Sequence, residues 1–293
     1  MTFTGVSLGC GNFGGVGSAP EFVGQGVARA DATAIMDRAW DAGIRWFDTA
    51  DAYGGGASER WIGEWMRATG NRPLLTTKVF HSTSGDAADS GLAPDRIRRQ
   101  LESSLARLGV EHVDLYLAHE PDAGVTLEDT VACFESLCDE GLISAWGLSN
   151  YGLAEIAATA PALVQNSFSL LERADEADVL PHCREHGIAY VPYSPLAGGW
   201  LTGKYRLGES FPAGSRMTQR PEPYAAYVDG GVHDAVEAHV REAEERGVSP
   251  AALAFAWVLE RCDGAVCGPG SAAQLDPVLE AMALVCGRRR ERE

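Results

Sequence analysis

Short apolar runs alternate along this chain with longer segments in which apolar residues recur every three or four positions. The runs are Gly5–Gly9, Arg45–Asp48, Leu74–Lys78, His112–Leu117, Ile143–Leu148, Leu163–Gln165, Ile188–Tyr193 and Ala265–Cys267. They are short and rich in β-branched or aromatic residues, as strands buried on both faces are. Between them, Ile97, Leu101, Leu105 and Leu108 form one helical stripe, with Pro94 near its start and Gly109 just past its end. Leu127, Val131, Phe134 and Leu137 form another after a Thr126-x-x-Asp129 start. Asp31 and Ser58 are predicted N-caps of two more helices. Eight strand–helix alternations predict a parallel sheet in an α/β fold, and eight such units close into a (β/α)8 TIM barrel. An open doubly wound sheet is the alternative. No linker or low-complexity tract divides the 293 residues, so residues 1–293 read as one domain. One long interruption, 197–231, carries Trp200, Tyr205, Phe211, Tyr224 and Tyr227. It is predicted to be an ordered binding loop that forms much of the pocket wall.

Composition narrows the picture. No apolar run approaches the roughly 20 residues that span a bilayer, and the N-terminal MTFTGVSLGCG lacks the layout of a signal peptide. Seven cysteines, an odd number without a C-x-x-C pair, read as reduced and packed, which fits a cytoplasmic protein. A net charge of −17 argues against nucleic acid as a partner, and the basic run Arg288–Arg290 reads as a solvated tail. Oligomeric state is not legible. Among the 24 basic residues, only Lys78 and Lys204 are lysines. A bias that turned nearly every basic position into Arg left Lys at two places where a compact point charge and a planar fork would not be equivalent.

Active sites of barrels lie at the C-terminal ends of the strands. Those ends carry Asn12, Asp48, Lys78, His119, Ser149 with Asn150, Gln165 with Asn166, and Tyr193 with Ser194. Each has an ordinary structural explanation alone: Asp48 as a turn cap, His119 as a core histidine, Lys78 as a strand terminus, Tyr53 as packing. Together they make a proton-transfer device, because barrel closure sets the ends of strands two, three and four side by side. A carbonyl that accepts a hydride needs a proton on oxygen, and a phenol can supply it. An ammonium about 4 Å from that phenol is worth roughly 4 kcal/mol at an effective dielectric of about 20, or about a thousandfold in acidity. Lys78 is therefore expected to acidify Tyr53, with Asp48 holding the lysine charged and a histidine orienting the substrate oxygen.

These segments, GIRWFDTADAYGGGASERWIG followed in order by LLTTK, LYLAHEPD, WGLSN, VQNSFS and YSPLAGGWLTGKY, resemble the aldo-keto reductases over nearly the whole chain. The branch is the one that includes potassium-channel β subunits and aflatoxin-aldehyde reductases, not that of mammalian aldose reductase. The resemblance implies NADPH-dependent reduction of a small-molecule aldehyde or ketone, with Asp48, Tyr53, Lys78 and His119 as the catalytic tetrad and Tyr53 the general acid. It also implies cofactor contacts. Asn12, Phe13 and Asp48 lie at the turn after the first strand and on the ribose side, Ser149, Asn150 and Gln165 at the carboxamide, and Tyr193 against the nicotinamide. Ser194, Pro195, Leu196, Gly198 and Lys204 line the pyrophosphate, Arg216 the adenosine side, and Gly268, Gly270 and Gln274 the closing segment. Phe13, Tyr53, Phe80 and Trp200 suggest an aromatic-walled substrate pocket. Two other functions stay open: a non-catalytic nicotinamide-sensing subunit, and an NAD-dependent sugar or alcohol dehydrogenase working oxidatively. A cofactor-free barrel hydrolase or isomerase is weaker.

The chain departs from the family in the last segment, where the family reads G-x-(Ser or Arg)-x-x-x-Gln-x-x-Glu-Asn. Here Gly270 lacks the side chain, and Pro277 and Val278 replace Glu and Asn. Lost polar contacts cost about 0.5–1.5 kcal/mol each. NADPH is therefore expected to bind more loosely and to be favoured over NADH by less, with NADH an alternate cofactor. Two signals are set aside. Gly9-x-Gly11-x-x-Gly14 matches a dinucleotide fingerprint, but it runs on into Gly15, Val16, Gly17 and Pro20, so no helix opens after it. His182 and His186 have helical i,i+4 spacing but no acidic third ligand, so no metal is expected.

Overall fold

The computed structural model describes residues 3–86, 88–229 and 231–290, without the side chains of 229 and 288–290; the basic run at Arg288–Arg290 therefore lies outside the described side chains. The strands are β1 Gly5–Gly9, β2 Trp46–Asp48, β3 Leu74–Val79, β4 Val113–Ala118, β5 Ile143–Ser149, β6 Leu163–Gln165, β7 Ala189–Tyr190 and β8 Gly264–Cys267. They pair in parallel in the order β7-β6-β5-β4-β3-β2-β1-β8. Asp263 N donates to Tyr190 O (3.1 Å) and Val266 N to Pro192 O (2.9 Å), which brings the first and last members together and closes the (β/α)8 barrel. Outside it lie α1 Arg29–Asp41, α2 Ala57–Thr69, α3 Pro94–Leu108, α4 Leu127–Asp139, α5 Leu153–Thr159 and α6 Val179–His186, each following its strand. Between β7 and β8 come the short α7 Arg216–Gln219 and α8 Ala225–Asp229, then α9 Val232–Glu245 and α10 Pro250–Leu259, and α11 Asp276–Arg290 follows β8.

Strand alternation sorts the residues. Val6, Leu8, Phe47, Leu75, Val79, Tyr116, Ala118, Leu148, Val164 and Ala265 face outward and pack with the helices in the main core. Phe3, Leu115, Leu117, Leu163, Val191 and Val266 fill the barrel interior. Inward positions of β1 are small for a reason. A Cβ at Gly9 would lie 2.7 Å from Val266 Cγ1, and one at Gly147 in β5 would lie 2.3 Å from Leu163 O.

Helix ends follow local chemistry at several places. Thr126 accepts from Asp129 N at the start of α4, and Gly109 ends α3 in the left-handed region (φ 71°). The expected caps at Asp31 and Ser58 are not caps. Helix α1 starts after Ala28 and α2 after Gly56, whose φ is 80°. Ser58 is instead drawn inward, bonded to Thr49 Oγ1 (2.8 Å) and donating to Cys10 O (3.0 Å). The seventh strand is also shorter than the Ile188–Tyr193 run. Pro192 has no N–H, so the regular strand stops at Tyr190, yet Val191 N and Tyr193 N still donate to Val164 O and Asn166 O.

The segment 197–231 has its own core. Trp200 is fully buried, with Tyr205, Phe211 and Tyr227 edge-on to it, and Met217, Val236 and Ala254 complete the cluster. All seven cysteines are free. No helix among the described residues is long and apolar enough to cross a membrane.

Candidate active site

The alternation that sends Phe47 and Tyr116 outward sends Asp48 (β2), Lys78 (β3), Ser149 (β5) and Gln165 (β6) inward at the C-terminal ends, with His119 one residue beyond β4. Tyr53 reaches the same mouth from a short turn, Tyr53–Gly56, where its ring passes close over Gly11. Lys78, only 1% exposed, spends its three donors on Asp48 Oδ1 (2.5 Å), Thr49 O (2.9 Å) and Tyr53 OH (3.5 Å). Tyr53 OH lies 3.4 Å from His119 Nε2. Gln165 Nε2 donates to the other Asp48 oxygen (2.9 Å). The four residues of the expected tetrad thus form one connected cluster.

Its electrostatics differ in one respect from the sequence expectation. Burial raises the Tyr53 phenol; Lys78 pulls it back and Asp48 pushes it up, so it ends above its ordinary value rather than below. The ammonium is where the argument placed it, but the desolvation that accompanies a site this deep is the larger effect. Burial also works to lower Lys78, but Asp48 and Tyr53 outweigh it and the group sits above its ordinary value, so it stays charged. His119 is held well below its usual range, first by burial, then by Lys78 and His81, and is neutral near pH 7. Its Nδ1 is buried without a partner.

The expected cofactor contacts form a band across the mouth. Asn150, in the left-handed region (φ 66°), donates through Nδ2 to His119 O (2.9 Å) and accepts from Tyr193 OH (2.7 Å). Asn166 holds it there, accepting from Asn150 N (2.7 Å) while donating to Tyr151 O and Asp175 Oδ2. Ser194 (φ 57°) and Ala197 (φ 49°) are likewise left-handed. Strained backbone of this kind persists where surroundings over-determine it, commonly at ligand sites. Pro195 is buried, and Leu196 packs against the core. Gly198 lies under the Tyr224 ring, where a Cβ would be 2.5 Å away. Arg216 Nη2 donates to Asn12 Oδ1 (2.9 Å) and Asn12 Nδ2 to Gly268 O (3.2 Å), which ties three distant segments together. Gly270 N donates to Gln274 Oε1 (2.7 Å).

Other placements run against expectation. The Phe13 and Trp200 side chains are 0% exposed, so of the four aromatics expected in the pocket wall these two do not reach the mouth; Tyr53 does, and Phe80 is partly exposed with its ring 5.3 Å from that of His81. Val278 is buried. Sequence reasoning missed Thr49, whose carbonyl helps seat Lys78; Tyr224, expected only as one of the loop aromatics, covers Gly198 and meets Ser194 Oγ at 3.3 Å. His182 and His186 stack on each other along α6, and no group of three His, Cys, Asp or Glu among the described residues is placed to hold a metal ion.

Lys204, Arg216 and Arg220 belong to the 197–231 segment. Among the described residues none of the three forms an ion pair within 4 Å, which is equally true of Arg45, Arg60, Arg67, Arg72, Arg184, Arg206, Arg241 and Arg261. Arg216 is partly buried: burial holds it below its ordinary value, and Arg220 lies close enough to add to that. Two neighbouring guanidinium groups beside the site suit a bound anion.

Comparison with known proteins agrees. The family model for the aldo/keto reductase family matches residues 6–287. A probable aldo-keto reductase 1 of Glycine max is 32% identical over 273 residues, 90% of this chain and 78% of that protein. The Schizosaccharomyces pombe aldo-keto reductase yakc [NADP(+)] is 32% identical, covering 81% of this chain and 73% of its own length. A putative voltage-gated potassium channel subunit beta from the same yeast is 35% identical over 77% of this chain and 70% of its own. The solved glycerol dehydrogenase of Gluconobacter oxydans superposes with a TM-score of 0.77 at 27% identity, over 94% of this chain and 85% of that one. The chain belongs to the aldo/keto reductase family and is an NAD(P)H-dependent oxidoreductase acting on carbonyl compounds.

Proposed function

We propose that the protein reduces aldehydes or ketones to alcohols with NADPH and that Tyr53 is the general acid. The observation that carries this reading is the cluster in which the Tyr53 hydroxyl stands 3.5 Å from the Lys78 ammonium and 3.4 Å from His119 Nε2. The bound nicotinamide supplies the hydride. The rest of the chemistry belongs to the chain. The carbonyl oxygen sits between Tyr53 OH and His119 Nε2, and neutral His119 orients it by a hydrogen bond. As negative charge grows on that oxygen, Tyr53 hands over its proton, and Lys78 stabilises the phenolate left behind. Asp48 and the Thr49 carbonyl keep Lys78 charged and aimed. Because burial keeps the phenol above its ordinary value, Tyr53 carries its proton throughout the neutral range, as a proton donor in the reductive direction must.

Ser149, Asn150, Gln165 and Tyr193 would hold the nicotinamide end, and Ser194, Gly198, Lys204 and Arg216 the phosphates. NADPH is favoured because Lys204 and Arg216 offer positive charge to it, while nothing acidic stands at Gly270 to repel a 2′-phosphate. The preference is modest, because Gly270 offers only backbone and buried Val278 presents no polar group to the adenine. The potassium-channel relative favours a second reading, a subunit that binds the cofactor without turning over substrate; the complete tetrad favours the enzyme. Oxidation of NADPH followed with a panel of aldehydes and ketones separates the two. Turnover that is abolished in Tyr53→Phe supports the first, and tight cofactor binding without turnover of any carbonyl supports the second.

A further inference from the structure

Beyond the tetrad, the strands hold a second polar pair. Strands β3 and β4 run in register with Lys78 opposite Leu117 and Val79 opposite Ala118. His119 N continues the ladder to Val79 O (3.0 Å). Two residues further out, the same register sets His81 opposite Glu120, and His81 Nε2 meets Glu120 Oε1 at 3.2 Å. The His81 ring lies edge to face with His119, centroids 4.9 Å apart, while Tyr53 lies against His119 at 5.5 Å. His81 is fixed from behind. Its carbonyl accepts from Arg96 Nη2 (2.9 Å), and that arginine is buried, donating also to Gly91 O and Asp89 O. The pair is not buried itself: the side chains are 28% and 44% exposed.

The surroundings decide what such a pair is for. Two aromatics that would have made an apolar wall, Phe13 and Trp200, have no exposed surface, while Phe80 is partly exposed and lies edge to face with His81, centroids 5.3 Å apart. Beside the tetrad there thus stand an imidazole backed by one aromatic ring and a carboxylate, with Arg220 of the 197–231 segment close enough to act on Glu120. The pair is partly open beside the reacting groups, where an entering substrate can reach it.

We propose that His81 and Glu120 form a polar subsite that takes a hydroxyl on the carbon next to the substrate carbonyl, so that the protein selects hydroxylated aldehydes and ketones over unsubstituted ones. This rests on the reductase reading. A hydroxyl both donates and accepts; the carboxylate can only accept, and the imidazole can take either role. A substrate with such a hydroxyl satisfies the pair as it enters. One without it displaces water from a carboxylate and an imidazole and returns nothing, which is how sites built for a hydroxyl reject its absence.

The test compares kcat/KM for glyceraldehyde and propanal, with NADPH, in the wild type, His81→Phe and Glu120→Gln. Intrinsic reactivity and hydration of the two aldehydes cancel when the ratio of the two values is compared between proteins. The ratio is expected to fall by at least about tenfold in each variant, the loss of about one hydrogen bond to a charged group. Glu120→Gln is nearly isosteric, so it keeps the test valid if His81→Phe folds poorly, which thermal unfolding reveals. An unchanged ratio, or equal losses on both aldehydes, overturns the subsite while leaving the reductase reading intact. Turnover of neither aldehyde by the wild type, nor of any other carbonyl, overturns the reductase reading and the subsite with it.

Discussion

The two ends of the site are built differently. At the proposed nicotinamide end, Asp48, Lys78, His119, Ser149 and Gln165 stand on or just beyond strands whose ladders fix their backbones, and the polar atoms of Asp48 and Lys78 are tied to one another. At the proposed adenosine end, Arg216, Gly270 and Gln274 lie on short helices and loops, and single contacts hold the band together: Arg216 to Asn12, Asn12 to Gly268, Gly270 to Gln274. Chemistry tolerates small errors in geometry badly, whereas affinity can be spread over several weak contacts. On the proposed reading, the departures at Gly270, Pro277 and Val278 fall at the end that can absorb the change, and the expected tetrad is complete at the end that cannot.

The largest effects are therefore expected at the strand end. Tyr53→Phe removes the proposed proton donor and little else, so turnover should fall on the order of 10²- to 10⁴-fold with cofactor affinity retained. Lys78→Arg should fall comparably despite its conserved charge, because a side chain 1% exposed and bonded to three acceptors leaves no room for a planar guanidinium. Single-turnover kinetics together with cofactor fluorescence titration separate the two quantities. Near-normal activity in Lys78→Arg would show that charge alone matters there.

The same end sets the pH dependence. A proton donor whose pKa is raised keeps its proton as pH rises, so kcat/KM for reduction should stay level through neutrality and fall about tenfold per pH unit only above the ordinary phenol range, near 10. Oxidation of an alcohol needs the phenolate and should rise with pH over that interval. His119, depressed by burial and neutral already, should contribute no inflection between pH 6 and 8. An inflection in that interval that disappears in His119→Asn would show that the histidine titrates during turnover.

At the loop end the expected effects are on binding. Arg216→Ala removes a cation and its bond to Asn12, and should weaken NADPH by roughly 10- to 100-fold, the worth of one charged hydrogen bond, with kcat much less affected. Isothermal titration with both cofactors measures this. Equal weakening of NADH would place Arg216 on the shared phosphates rather than on the 2′-phosphate.

The contrast also governs what was legible in the sequence. Eight short apolar runs alternating with helical stripes identified the barrel, and strand-end chemistry put Asp48, Lys78 and His119 at one mouth, because a strand fixes both where a side chain stands and which way it faces. The errors arose where tertiary context competes. Ser58 looks like a cap, but Cys10 O and Thr49 claim its hydroxyl. The lysine beside Tyr53 is visible in the motifs, whereas the desolvation that outweighs it depends on packing from the whole barrel. Trp200 looked like pocket wall, yet a long insertion must bury something of its own, and Trp200 became the centre of that small core. His81 and Glu120 were within reach: continuing the strands three residues past the tetrad lysine and one past its histidine would have paired them.

The smallest expected effect is the one that tests whether the loop end is open to adjustment. Gly270 is not in the left-handed region, and a Cβ there would meet Gln274 Oε1 at 3.5 Å, an ordinary contact. A side chain can therefore be added without bending the backbone, and the Gly270 N–H bond to Gln274 can persist. Gly270→Arg brings a third cation toward the place that Lys204 and Arg216 already make attractive to phosphate. In partly solvated surroundings its gain should be about 1 kcal/mol, or roughly fivefold in the NADPH dissociation constant, with NADH unchanged. Gly270→Asp should do the reverse, weakening NADPH by a similar factor and leaving NADH favoured by comparison. Opposite shifts for NADPH with constant NADH affinity would place residue 270 beside the 2′-phosphate. If both variants change both cofactors alike, the segment closes over the adenosine without reading that phosphate, and the preference for NADPH rests on Lys204 and Arg216 alone.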